Sequence, residues 1–181
     1  DGAAGMDCGR VTIHAGATGK ELLRLEGERA GDLFGSAMAA GTCGTDRVLV
    51  VGAMNGGPGQ RGRVTAYTLT KDGRTRRFQV DAPPTGANFG QYFASFPGDV
   101  DGDGKNDVYV SDFSDGNSAE RVVVLSGVDG RTLLERRGTQ AGEGLGTTHA
   151  TCGDVNGDGR ADLLVGAWQN ADGARSGGKC L

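Results

Sequence analysis

With 181 residues, the chain is long enough to form a domain with a core of its own. It contains 35 glycines, about a fifth of all residues where roughly 7% is usual, without a collagen period. The net charge of −4 comes without the clustered basic face that nucleic acid requires, and no run approaches 18 apolar residues, so neither nucleic acid nor a membrane span is expected. Short apolar runs between glycine-rich turns favour an all-β sandwich, barrel or propeller.

The chain begins with half of a repeating unit. Alternating apolar residues predict strands at 10–15 and 21–25, joined by a turn at Thr18-Gly19. These two strands correspond to the last two strands, C and D, of the units that follow. Residues 9–33 are therefore interpreted as strands C and D of a split blade.

Two complete units follow, and each begins with Phe-Gly. Phe34-Gly35 and Phe89-Gly90 are about 55 residues apart, and a weaker Leu145-Gly146 follows at about the same interval, which is the size of a propeller blade. Each full unit is predicted to contain four antiparallel strands, A to D, with an Asp-Gly hairpin turn between C and D at Asp72-Gly73 and Asp129-Gly130.

This period divides the chain into predicted blades. Residues 34–88 form blade 1, residues 89–144 form blade 2, and residues 145–181 supply strands A and B of the split blade. Residues 1–181 are thus expected to form one β-propeller (half-)domain of four-stranded antiparallel blades, three blades' worth per chain.

An acidic loop occurs twice, between strands A and B, at residues 99–107 (loop 1) and 154–162 (loop 2). Oxygen-bearing side chains at alternate positions of a tight turn can converge on one hard cation, and Ca²⁺ takes six to eight oxygens. The expected ligands are Asp99, Asp101, Asp103, Asp107 and the carbonyl of Lys105 in loop 1, and Asp154, Asn156, Asp158, Asp162 and the carbonyl of Arg160 in loop 2.

These loops are not EF-hands. An EF-hand needs a glutamate at position 12 and helices on both sides, whereas Val110 and Val165 stand there, within short apolar runs of strand type. A pair of solvated Asp/Gly turns is the simpler alternative, and the repetition argues against it. Blade 1 has Gly44-Thr45-Asp46-Arg47 at the same place, with a single carboxylate, so no metal is expected there.

The Phe-Gly start followed by Gly-Asp-Val-Asn-Gly-Asp-Gly-x-x-Asp-Leu-Leu-Val-Gly-Ala at residues 153–167 resembles the FG-GAP repeats of integrin α-subunit β-propellers and their bacterial relatives. The resemblance extends over most of the chain and implies a propeller whose acidic loops hold structural Ca²⁺, with two sites per chain. The pattern is lost at Ser111-Asp112-Phe113, where the family has Gly-Ala-Pro.

Four cysteines, Cys8, Cys43, Cys152 and Cys180, show no CxxC or Cys/His metal spacing. Their even number beside calcium loops favours disulfides and an oxidising, extracellular compartment, with four free thiols as the alternative. Since Cys8 and Cys180 lie in the split blade and Cys43 and Cys152 lie near ends of A strands, we expect the pairs Cys8–Cys180 and Cys43–Cys152, within or between chains.

Three blades are fewer than the four to eight of known propellers. The chain is therefore expected either to be a fragment of a longer propeller or to complete a six-bladed ring as a homodimer.

No catalytic constellation is present. His14 and His149 have no second ligand at metal spacing, and no serine stands in a Gly-x-Ser-x-Gly elbow. Met54, Phe113 and Trp168 follow the three B strands and are interpreted as packing between blades. The expected function is a non-enzymatic, calcium-binding module for extracellular binding, adhesion or scaffolding, with an unknown protein or glycan ligand. The alternative is an accessory propeller of a secreted hydrolase, or a sugar-binding lectin.

Overall fold

The computed structural model describes residues 3–112 and 120–181, and these fold into antiparallel β-sheets, as the all-β prediction requires. Apart from strands, they contain one 3-10 turn at Pro58–Gln60, and no helix among them could span a bilayer. The strands are β1 (Arg10–His14), β2 (Glu21–Glu26), β3 (Phe34–Cys43), β4 (Asp46–Ala53), β5 (Arg63–Thr70), β6 (Gly73–Asp81), β7 (Phe89–Ser95), β8 (Val108–Asp112), β9 (Arg121–Leu125), β10 (Thr132–Arg137), β11 (Leu145–Gly153), β12 (Asp162–Ala167) and β13 (Lys179–Cys180).

The strands form four sheets in chain order. The first sheet is β1-β2, the second β3-β4-β5-β6, the third β7-β8-β9-β10 and the fourth β11-β12-β13. The second and third sheets have the predicted four-stranded antiparallel order. The first and fourth sheets, whose strands the sequence assigned to a shared blade, are separate, and the described residues do not close into a ring. The number of blades therefore remains a prediction.

Three apolar clusters join successive sheets. The cluster around Val11, Phe34 and Val51 lies between the first and second sheets. A second cluster, around Val50, Val64 and Val110, lies between the second and third sheets, and Tyr109 packs with Val165 between the third and fourth.

The second and third sheets are therefore covered on both faces, which explains the uninterrupted apolar runs of their strands β4 and β8. Within residues 3–112 and 120–181, the fourth sheet has a packed neighbour on one face only. Val165 faces the third sheet and is 7% exposed, whereas Leu164, on the opposite face of β12, is 44% exposed.

The Phe-Gly glycines allow the sheets to approach closely. Gly90 has φ +78°, and a Cβ there would lie 2.7 Å from a methyl of Val64 in the preceding sheet. Gly146 has φ +82°, and a Cβ there would lie 2.3 Å from a methyl of Val122 in the third sheet. Because a side chain would be strained and would clash, each unit needs glycine where its first strand meets the preceding sheet.

Candidate metal loops

Both acidic loops connect the first two strands of a sheet, as the repeat predicted. Loop 1 joins β7 to β8, and loop 2 joins β11 to β12. Each loop is therefore anchored at both ends by neighbouring antiparallel strands.

The first aspartate organises the backbone of loop 1. Asp99 Oδ1 accepts hydrogen bonds from the backbone N–H groups of Gly102 (2.7 Å) and Asp103 (3.1 Å), and its Oδ2 accepts one from Gly104 (2.7 Å). These bonds wrap the loop around one carboxylate, as in an extended Asx turn.

The acidic side chains of loop 1 converge. Asp99, Asp101 and Asp107 each offer a carboxylate oxygen within 4.8 Å of the others. Asp107 is fully buried and accepts hydrogen bonds from the N–H groups of Val100 (2.8 Å) and Gly127 (3.0 Å). Burial raises the pKa of the Asp107 carboxyl above its usual range, although these two bonds oppose the shift. A cation at this place would offset both the cost of burying the Asp107 carboxylate and its repulsion by the neighbouring carboxylates of Asp101 and Asp103.

Loop 1 is also held from outside. Gly127 and Arg131 belong to the turn between β9 and β10, and Arg131 Nη2 forms an ion pair of 2.5 Å with Asp101 Oδ2. The turn thus contacts the loop at its third and ninth positions.

Loop 2 repeats the internal geometry. Asp154 Oδ1 accepts from the N–H groups of Gly157 (2.7 Å) and Asp158 (3.1 Å), and its Oδ2 accepts from Gly159 (2.8 Å). These bonds, that of Gly159 most strongly, lower the pKa of the Asp154 carboxyl. Asp162 Oδ2 accepts from the Val155 N–H at 2.8 Å, just as Asp107 does from Val100.

The two loops touch each other. The backbone N–H of Ala161 donates to the carbonyl of Asp99 at 2.7 Å, and the Arg160 side chain lies beside Gly102. In the same way, the Lys105 side chain of loop 1 lies beside Gly44 in the β3–β4 turn. The seventh residue of each loop therefore extends over the corresponding turn of the preceding sheet.

The donor set of both loops consists of carboxylate, amide and carbonyl oxygens. Such hard donors suit Ca²⁺ or a similar cation, whereas structural Zn²⁺ sites use sulfur and nitrogen ligands. The convergence of Asp99, Asp101 and Asp107 shows that loop 1 fits this requirement. Calcium binding itself remains a prediction.

Comparison with protein families matches residues 99–165 to the family described as FG-GAP-like repeat. The chain carries an FG-GAP-like repeat. The matched stretch starts at the first residue of loop 1 and ends in β12, so it contains both acidic loops. A search of curated proteins found no match. The family predicted from the sequence is thus confirmed for the stretch that holds the candidate metal residues.

Neither predicted disulfide is formed in this chain, where all four cysteines are free thiols. Cys8 precedes the first sheet and is buried, whereas Cys180 is exposed in β13 of the fourth sheet. Cys43 is buried at the junction of the second and third sheets, and Cys152 is exposed near the end of β11. Since the first and fourth sheets are separate, the structure does not bring Cys8 to Cys180; pairing between chains stays a prediction.

The other residues considered from the sequence have varied surroundings. His14 is exposed, and His149 is half-buried, stacked on Tyr109 with ring centroids 4.1 Å apart. Trp168 lies against Gly144 yet is 58% exposed, so it is only partly a packing residue. Met54 is half-buried, and its N–H donates to Ser36 Oγ at 3.0 Å. Phe113 lies outside the described residues.

Sequence reasoning missed the residues that hold the FG-GAP loops from outside, namely Gly127 and Arg131. Their position directly around the Asp129-Gly130 turn was visible, but nothing in the repeat pattern says that this turn contacts the preceding loop. Arg77, which contacts the β3–β4 turn, was missed for the same reason.

Proposed function

We propose that this chain is a non-enzymatic, calcium-stabilised β-propeller module in which Ca²⁺ fixes the loops between the first two strands of the third and fourth sheets. The observation that carries the proposal is the convergence of Asp99, Asp101 and Asp107 in a loop whose internal hydrogen bonds recur in loop 2. The two segments share the bonds that the first aspartate accepts from the loop backbone and have oxygen-bearing side chains at the same positions, which isolated acidic turns have no reason to share.

The role of the metal in this proposal is structural. In loop 1, Ca²⁺ would be held by Asp99, Asp101, Asp103, Asp107 and the Lys105 carbonyl, and it would neutralise carboxylates that the fold partly buries. Because the folded loop binds and the unfolded chain does not, binding and folding are coupled.

Calcium titration tests this proposal. At a calcium concentration 100 times Kd, each site adds about 2.7 kcal/mol of stability. For a chain of this size that corresponds to a rise in Tm of about 5–10 °C per site. Isothermal titration should give two equivalents of Ca²⁺ per chain, and EDTA should reverse the rise.

The matched control carries Asp99→Asn and Asp154→Asn, which keep the size of both organising side chains. We expect this variant to lose the calcium-dependent part of Tm. An unchanged Tm between saturating calcium and EDTA in the wild-type chain would contradict the proposal.

We further propose that the module acts outside the cytoplasm in binding, adhesion or scaffolding, and that a second copy or further repeats cover the fourth sheet. Support comes from Leu164, which is 44% exposed on the face of β12 that points away from the third sheet. The corresponding residues of the second and third sheets, Val50 and Tyr109, are buried. Sedimentation in calcium discriminates: a compact monomer at micromolar concentration contradicts the homodimer.

A further inference from the structure

The second sheet has no acidic loop, yet its β3–β4 turn is held by a cation. Arg77 Nη1 lies 2.7 Å from Asp46 Oδ2, and Arg77 Nη2 donates to Cys43 Sγ at 3.4 Å. The Arg77 side chain is only 14% exposed. A partly buried guanidinium therefore fixes the turn that lies in the same place as loops 1 and 2.

The same guanidinium reaches the next sheet. Arg77 Nε donates to the carbonyl of Gly127 at 2.6 Å, and Nη1 also approaches Thr68 Oγ1 at 3.2 Å. Gly127, in turn, donates its N–H to Asp107 Oδ1 at 3.0 Å. One residue of the β9–β10 turn thus connects Arg77 to the fully buried carboxylate of loop 1.

A β-bulge aims Arg77 at this place. On β5, Tyr67 pairs with Arg76 and Ala66 pairs with Phe78, so Arg77 is the extra residue between them. Bulges commonly redirect a side chain in this way.

The third sheet has the same bulge with a different residue. There Leu125 pairs with Thr132 and Val124 with Leu134, which leaves Leu133 as the extra residue. Leu133 packs in the apolar cluster around Tyr109. The sheet with an acidic loop therefore has leucine at the bulge, and the sheet without one has arginine.

We propose that the Arg77 guanidinium is an internal cation that holds the β3–β4 turn of the second sheet, as the proposed Ca²⁺ holds loop 1 of the third sheet. We also propose that Arg77 positions the Gly127 N–H that donates to Asp107. The first part stands on the contacts of Arg77 alone. The second part rests on the proposed calcium binding of loop 1.

The first part is tested by thermal unfolding in EDTA. Arg77→Leu, which places the third sheet's residue at the second sheet's bulge, should lower Tm by about 5–10 °C because several charge-assisted bonds in a partly buried place are lost. Arg77→Lys should lose less. The matched control is Arg76→Leu, since the Arg76 side chain is 59% exposed and, among the described residues, its ion-pair partner Glu28 is 3.9 Å away. A loss for Arg77→Leu no larger than that of Arg76→Leu overturns the first part.

The second part is tested by isothermal titration with Ca²⁺, well below Tm, in a background where Asp154→Asn and Asp158→Asn disable loop 2. We expect Arg77→Leu to raise the Kd of loop 1 by about three- to tenfold, Arg77→Lys to restore part of the affinity, and Arg76→Leu to leave it unchanged. An unchanged Kd in Arg77→Leu overturns the positioning role. If the background itself binds no Ca²⁺, both the calcium proposal for loop 1 and the positioning role fail, while the result in EDTA still decides the first part.

Discussion

Loops 1 and 2 share their sequence pattern and their internal hydrogen bonds but differ in what surrounds them. The ninth residue of loop 1, Asp107, is fully buried and receives a second hydrogen bond from Gly127, and Asp101 is paired with Arg131. In the described part of the chain, the side-chain hydrogen bonds of Asp154 and Asp162 in loop 2 come from loop 2 itself.

This difference follows from the sheets. Loop 1 belongs to a sheet with four strands, whose β9–β10 turn covers it, and that sheet is packed on both faces. Loop 2 belongs to a sheet with a two-residue third strand. The repeat sequence therefore sets the shape of a loop, whereas the neighbouring strands and sheets supply the hydrogen bonds and ion pairs that hold it from outside. Four predictions test this distinction.

The largest effect is expected at the equivalent β8 and β12 positions, Tyr109 and Leu164. Tyr109→Ala should cost about 3–5 kcal/mol of unfolding free energy because it removes a buried ring from the third cluster. Leu164→Ala should cost less than about 1 kcal/mol because the side chain is already 44% exposed. Urea unfolding of both variants measures the difference. A large loss at Leu164 would mean that this face is covered in solution.

The next effect compares the ninth positions of the loops. In EDTA, Asp107→Ala should destabilise the chain by about 2 kcal/mol, because the buried N–H of Gly127 and that of Val100 lose their acceptor. Asp162→Ala should cost less than about 1 kcal/mol, since the Val155 N–H that it frees is open to water. Equal losses in chemical denaturation would refute the idea that loop 1 is more firmly supported.

A smaller effect depends on pH. Burial lowers the pKa of His149, on the strand that leads into loop 2, below its ordinary value of 6.5. The unfolded chain therefore takes up the proton first, so this contribution to stability is complete above pH 6.5 and is lost as the pH falls below it. The loss is at most about 1.4 kcal/mol per pH unit. The difference in unfolding free energy between pH 7.5 and 5.5 should be smaller in His149→Phe than in the wild-type chain, and an unchanged difference would assign the pH dependence to other groups.

The smallest effect concerns Arg131, whose ion pair with Asp101 competes with a metal in loop 1 alone. Arg131→Gln should tighten calcium binding at loop 1 by up to about fivefold, because a surface ion pair contributes at most about 1 kcal/mol. Loop 2 should be unaffected, and Arg136→Gln, on an exposed residue of the following strand β10, should change neither site. Weaker binding at loop 1 in Arg131→Gln would show that Arg131 supports the metal-binding geometry instead of competing with it.

The sequence alone determined the features that depend on neighbouring residues. The alternating runs, the Asp-Gly turns and the Phe-Gly starts predicted antiparallel four-stranded units, and the spacing of the aspartates predicted two tight acidic loops between the first and second strands of a unit. These features could be read directly because the groups that form them lie within a few positions of each other, as do the bonds from Gly102 and Gly104 to Asp99.

Only the tertiary structure decided which parts of the chain meet. The separation of the first and fourth sheets, the free state of Cys8 and Cys180, and the support that Gly127 gives to Asp107 all depend on how whole sheets pack. Arg77 and Gly127 are 50 residues apart, and a one-residue bulge decides that they touch. A repeat pattern fixes each sheet's own periodicity, but contacts between sheets depend on where bulges and turns aim individual side chains, which the local sequence does not specify.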